Sequence, residues 1–155
     1  MSVTPQPIAR FLEGKRIAVA GVSRSGDQPA NAIFRRLRDT GHEVVAVNPN
    51  AADLEGQTCF ADVASIPGTV DGVMVVTHPN AALGVVQQAI KRGVRQIWFH
   101  RSFGDGSVSA AAVRECRENG IEPIVGGCPM MFCGKVDPFH RCTRWLFGLT
   151  GRVPR

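Results

Sequence analysis

Arg16-Ile17-Ala18-Val19-Ala20-Gly21-Val22-Ser23 decides the fold. Five short apolar-rich positions that end at a glycine read as a strand buried on both faces, followed by a tight turn. A polar loop covers 22–28. Pro29 then suits the first turn of a helix. Ile33, Phe34 and Leu37 give that helix an apolar stripe, and Gly41 stops it.

The strand–loop–helix unit recurs downstream. Glu43–Val47 reads as a second strand, ended by Asn48-Pro49. A third runs over 70–76 and ends at Thr77-His78-Pro79. Asn80 then caps a helix over 81–92, with Leu83, Val86 and Ile90 inward. Gln96–Phe99 is the fourth strand, and Ser109 caps a helix over 110–119. The fifth strand, 122–125, is broken by Gly126-Gly127-Cys128-Pro129. Between strands two and three, 51–68 reads as a surface excursion with a short helical turn near 61–65. Helices at 6–13 and 141–149 are additions at the two ends. The expectation is one α/β domain over 1–155: a Rossmann-like, doubly wound, mostly parallel five-stranded sheet with helices on both faces.

Bulk properties narrow the function. The chain has 155 residues, enough to bury roughly 70% of its unfolded surface without a metal or disulfide. Eighteen basic against 13 acidic residues give a net charge of +5. The basic residues are scattered, none interleave with aromatics, and there is no Tyr, which excludes a nucleic-acid track. No apolar run approaches the roughly 20 residues of a membrane span. Met1 to Arg10 holds no long apolar core, so no signal peptide is expected. Five cysteines, an odd number, read as reduced thiols of a cytoplasmic protein. The partner expected is a small nucleotide, with no nucleic acid and no membrane, and a homo-oligomer is left open.

In an open parallel sheet, ligands bind outside the carboxyl ends of the strands, where strand order reverses. The candidate binding residues are therefore Gly21, Val22, Ser23 and Arg24 after strand one, Asn48 and Pro49 after strand two, and Thr77, His78 and Pro79 after strand three, with the loop 100–106 after strand four as a further candidate. A helix N-terminus behind the first loop offers N–H groups to a phosphate, and Arg24 adds a cation. A side chain at position 21 would fill ligand space while leaving the fold intact. The loop is neither a G-x-G-x-x-G fingerprint nor a P-loop. A dinucleotide dehydrogenase ends its second strand on a carboxylate, and here Asn48 follows Val47, which counts against NAD.

Ile17-Ala18-Val19-Ala20-Gly21-Val22-Ser23, then Val44-Val45-Ala46-Val47-Asn48-Pro49-Asn50, then Asp71-Gly72-Val73-Met74-Val75-Val76-Thr77-His78-Pro79 together resemble the small bacterial coenzyme A-binding domain family. That family is related to the amino-terminal domain of the succinyl-CoA synthetase alpha chain. The resemblance runs over 15–128, and its most specific part is Asn48-Pro49 followed by Leu54-Glu55-Gly56. It implies coenzyme A (or acyl-CoA) as ligand, held by the three loops above. Asn50 stands where many relatives carry Lys. The loop Trp98-Phe99-His100-Arg101-Ser102-Phe103-Gly104-Asp105-Gly106 departs from the family's W-[LF]-Q-x-G form.

The tail holds Cys128, Cys133, Asp137, His140 and Cys142. Their types could bind zinc, but their spacings form no pair of C-x-x-C knuckles. Cys142 shares a helical face with Trp145, Leu146 and Leu149, so packing is expected of it and no metal is assigned. No nucleophile or acid–base pair stands out in the loops. The reading is a CoA-binding module without catalysis of its own. The alternatives are an NAD(P)-dependent or acyl-transfer enzyme using the same crevice, and an interaction domain that keeps only the fold.

Overall fold

The computed structural model describes residues 4–102 and 104–154. Met1 and Phe103, both named above, lie outside the described residues. The elements in chain order are α1 (Gln6–Leu12), β1 (Arg16–Ala20), α2 (Pro29–Asp39), β2 (Glu43–Val47), β3 (Asp53–Leu54), β4 (Gln57–Phe60), β5 (Gly72–Val75), α3 (Pro79–Lys91), β6 (Gln96–Phe99), α4 (Ala110–Glu118), β7 (Ile124–Val125) and α5 (Pro138–Thr150). A 3-10 turn, Pro129–Met131, precedes α5.

The sheet runs β3-β4-β2-β1-β5-β6-β7, with β1 at its centre and every pairing parallel except β3 with β4. Side chains alternate along each strand, so one set faces each layer. Ile17, Val19, Val44, Ala46, Met74 and Trp98 pack under α1, α2 and α5. Ala18, Ala20, Val45, Val73, Val75 and Phe99 pack under α3 and α4. Both sets are buried, which is why the strands read as unbroken apolar runs. Trp98 anchors the first layer: its ring meets Phe11 edge-on at 5.3 Å, and its Nε1 donates to the Gly126 carbonyl at 2.8 Å.

The sheet has seven strands where five were expected. The excursion 51–68 contains the β3–β4 hairpin, whose second strand extends the sheet beside β2. Glu55 and Gly56 make its turn, at φ of 51° and 76°. No helix forms at 61–65, where the backbone makes a single turn with the Ile66 N–H donating to the Val63 carbonyl at 3.4 Å. Asp62 Oδ1 accepts from the Ser65 N–H at 2.7 Å, and the Arg92 guanidinium donates to the carbonyls of Val63, Ala64, Ile66 and Gly68. Side chains therefore hold that segment in place of a backbone ladder.

Two helix expectations also change. α3 begins at Pro79, not 81, with His78 as its cap: the His78 Nδ1 accepts from the Asn80 N–H at 3.3 Å. α5 extends over Pro138–Thr150, and it buries Thr143 and Phe147. The face bearing Cys142, Trp145, Leu146 and Leu149 is turned to solvent, so Cys142 has no packing role. Among the described residues, no helix is long and apolar enough to cross a membrane.

Candidate functional site

The chain leaves β1 for β2 on one side and crosses to β5 on the other, so the reversal of strand order falls between β1 and β5. Gly21 ends β1 there, at φ 107°. A Cβ on Gly21 would stand 2.4 Å from the Val76 carbonyl oxygen. The glycine is required because two backbones meet there, before any ligand is considered.

Two cavities flank this point. One, of about 590 Å³, lies between the ends of β1, β2 and β4 and the side of α3, and is lined by Asn48, Pro49, Asp62, Gly84 and Gln88. The other, of about 420 Å³, lies over the start of α2, and is lined by Ser23, Gln28, His100, Gly106 and Ser107. Gly21, Val76, Thr77 and His78 border both, so the two form one crevice across the switch point. Thr77 Oγ1 is buried at this junction with no hydrogen-bond partner among the described residues. A buried hydroxyl without a partner is costly, and a polar ligand group would supply one.

The loop after β1 is built by α2. Asn31 is buried, and its Oδ1 accepts from the Ser23 N–H at 2.9 Å while its Nδ2 donates to the Ser23 carbonyl at 2.8 Å. Nδ2 also donates to Glu55 Oε1 at 2.7 Å, and Arg35 pairs with the same oxygen at 2.8 Å. The β3–β4 turn thereby pins the first loop. Asn48 locks it from the other side, donating to the Val22 carbonyl at 2.8 Å and accepting from the Asn50 N–H at 2.8 Å.

The nine residues expected at the site divide accordingly. Gly21, Ser23, Asn48, Pro49, Thr77 and His78 line the crevice. Val22 is buried in the core and offers only its carbonyl to Asn48. Arg24 is exposed on the loop. Pro79 borders a third groove, of about 910 Å³, above α4. The sequence reading placed the 100–106 loop at the ligand edge without singling out His100, and it missed Asp62, Gln88 and Ser107. Asp62, two residues past the end of β4, lines the larger cavity, and it was invisible while β4 was read as loop.

His100 is 9% exposed, and burial pulls its pKa from 6.5 down to about 4. It is neutral at pH 7. Between pH 6.5 and 4 the unfolded chain binds the extra proton, so the burial stabilises above that window and stability falls as the pH is lowered through it. A shift of this size corresponds to about 3 kcal/mol. Urea unfolding at pH 7 and pH 4 is expected to show that additional acid loss in the wild type and not in His100→Gln. Equal losses in both proteins would remove His100 as the acid-sensitive group.

The tail groups do not converge. Among the described residues no three His, Cys, Asp or Glu are placed to hold a metal ion. Asp137 caps α5 through the His140 N–H and holds His140 Nδ1 at 2.5 Å. Burial pushes the Cys128 thiol up to about 12 and Cys133 up to about 11, so both stay protonated and neither is an activated nucleophile.

A doubly wound α/β domain with a crevice at its switch point is the class that this fold and site define. Residues 15–133 match the CoA binding domain model, and the chain belongs to that family. It is 26% identical over 114 residues to the uncharacterized protein YneT of Bacillus subtilis, covering 74% of this chain and 82% of that one. It is 29% identical over 85 residues to an ADP-forming acetate–CoA ligase of Archaeoglobus fulgidus, a match covering 55% of this chain and 12% of that enzyme. Among solved structures it is similar to Prb, the PH1109 protein redesigned for binding, at TM-score 0.74 and 29% identity, covering 82% of this chain and 87% of that one.

Proposed function

We propose that this protein binds coenzyme A or an acyl-CoA in the crevice across the β1–β5 switch point, as a binding module with no catalytic group of its own. The observation that carries this reading is the junction at Gly21, Thr77 and His78, where two cavities join and Thr77 Oγ1 is buried without a partner. Family membership supplies the ligand class.

The larger cavity takes the nucleoside. Pro49 forms an apolar wall there, and Asp62 keeps Oδ2 as an acceptor for the nucleoside's amino or hydroxyl groups while Oδ1 accepts from the Ser65 N–H. Gln88, whose Oε1 accepts from the Val63 N–H, offers its amide NH2 as a donor. Phosphate oxygens pass Thr77, whose hydroxyl donates to them. They lie against the N-terminal end of α2, where the helix dipole, Ser23 and the exposed Arg24 favour negative charge. The pantetheine arm then runs over neutral His100 and Ser107 in the smaller cavity. This path gives seven of the nine residues named from sequence a place at or beside the ligand, leaves Val22 a structural task and leaves Pro79 on the neighbouring groove. The domain supplies binding and orientation, and any chemistry comes from a partner or a downstream enzyme.

A thermal-shift panel tests the ligand class. A ligand that binds only the folded state raises the midpoint, by an amount equivalent to about 2.7 kcal/mol at a hundred times its Kd. CoA and acetyl-CoA are expected to raise it, and NAD at matched concentration to leave it in place. An equal rise with NAD would transfer the crevice to a dinucleotide.

A further inference from the structure

We propose that the solvent-facing side of α5 is a self-association surface, on which a second copy of this chain packs with its own α5 antiparallel. The inference is independent of what the crevice binds.

α5 is a 13-residue helix, about 20 Å long. Its buried side carries Thr143 and Phe147. Its outward side carries Phe139, Trp145, Leu146 and Leu149, exposed by 60%, 67%, 46% and 64%, with exposed Cys142 and Pro138 between them. At 100° per residue these six positions form one stripe about 120° wide without a charge in it. These four are the exposed large hydrophobic side chains of the described structure, and all fall on this one helix, beyond the residues 15–133 of the family match. Singly exposed leucines are ordinary, but a continuous stripe of this kind marks a contact surface.

Area and charge point to a second copy as the occupant. The four large side chains leave about 500 Å² of apolar surface in water. Two copies covering each other would remove about 1,000 Å², the lower bound for a specific interface and the size of a weak, reversible dimer. A two-fold axis near the stripe's midpoint sets Phe139 of one copy against Leu149 of the other, and Cys142 against Leu146. It also brings Arg141, the cation flanking the stripe, beside the last turn of the opposing helix, where the dipole is negative. A parallel pair would instead set the two Arg141 side chains against each other. A helix lying on a lipid surface carries cations along its polar margins. Here the opposite margin is Thr150, and Arg144 is turned inward, 4.4 Å over the Phe132 ring.

Sedimentation equilibrium of the full chain over a hundredfold concentration range tests this. The wild type is expected to reach twice the 16.7 kDa chain mass. Raising the salt should strengthen association, because each copy carries +5 and the contact is apolar. Trp145→Glu with Leu149→Glu should stay at 16.7 kDa while keeping the wild-type circular dichroism and thermal midpoint. Leu146→Arg provides a second variant with the same expectation. A wild type that is monomeric throughout overturns the proposal, as does a variant that still dimerises. A monomeric wild type that co-floats with phosphatidylserine vesicles would overturn it in favour of a lipid surface.

Discussion

Gly21→Val should leave little folded protein. The glycine sits at φ 107°, a region closed to a β-branched residue. The added Cβ would stand 2.4 Å from the Val76 oxygen and 2.7 Å from its carbonyl carbon, both fixed backbone at the end of β5. Relief requires separating β1 from β5, the central pair of the sheet. The cost is expected to exceed about 4 kcal/mol, the range of the most disruptive single substitutions. That is a large part of the 5–15 kcal/mol by which a domain of this kind is stable. Soluble yield and a circular dichroism melt check it. A variant that melts like the wild type would mean that the two backbones are not in contact. This corrects the expectation that a side chain here would block ligand and spare the fold, since it is the neighbouring strand that occupies the space.

The central parallel strands were readable because both faces are buried. Arg16–Ala20 and Glu43–Val47 are apolar runs that end on Gly21 and on Asn48-Pro49, so burial and punctuation agree, and Gln96–Phe99 is legible from its apolar run alone. Gln57–Phe60 was not readable for the opposite reason. It has a polar start and a burial pattern of one buried residue in four, as a strand near the sheet's margin does, so no apolar run announces it. Asp62 was lost with it. The loop that begins at His100 was legible as ligand edge because it directly follows β6, but the burial of His100 comes from tertiary packing that no local pattern encodes.

The final helix failed differently. Amphipathicity located α5, but the more apolar stripe was taken to face the core. Within one chain the core-facing side is set by what already stands there. The 3-10 turn, Phe132 and Val153 form one cluster with Phe147, and the tail closes so tightly that a Cβ on Gly126 would lie 2.2 Å from the Arg152 oxygen. A helical stripe identifies an apolar face without saying which molecule covers it.

Gly84→Phe should weaken ligand binding about a hundredfold without harming the fold. Gly84 lies in the middle of α3, and a Cβ there meets nothing within 4 Å. It also lines the larger cavity, so a phenyl ring at this position projects into the proposed nucleoside site. Replacing a mid-helix glycine should raise stability by about 0.5 kcal/mol. Filling the cavity should cost about a hundredfold in affinity, or about 2.7 kcal/mol. The substitution thus moves stability and binding in opposite directions, which a variant that merely unfolds cannot do.

Isothermal titration of CoA into the wild type and into Gly84→Phe, alongside their thermal melts, therefore tests the binding account most directly. The expected result is saturable one-to-one binding by the wild type, and at least a hundredfold weaker binding by a variant that melts no lower. Absence of CoA binding by the wild type, or undiminished binding by the variant, would contradict the placement of coenzyme A in the crevice at the β1–β5 switch point.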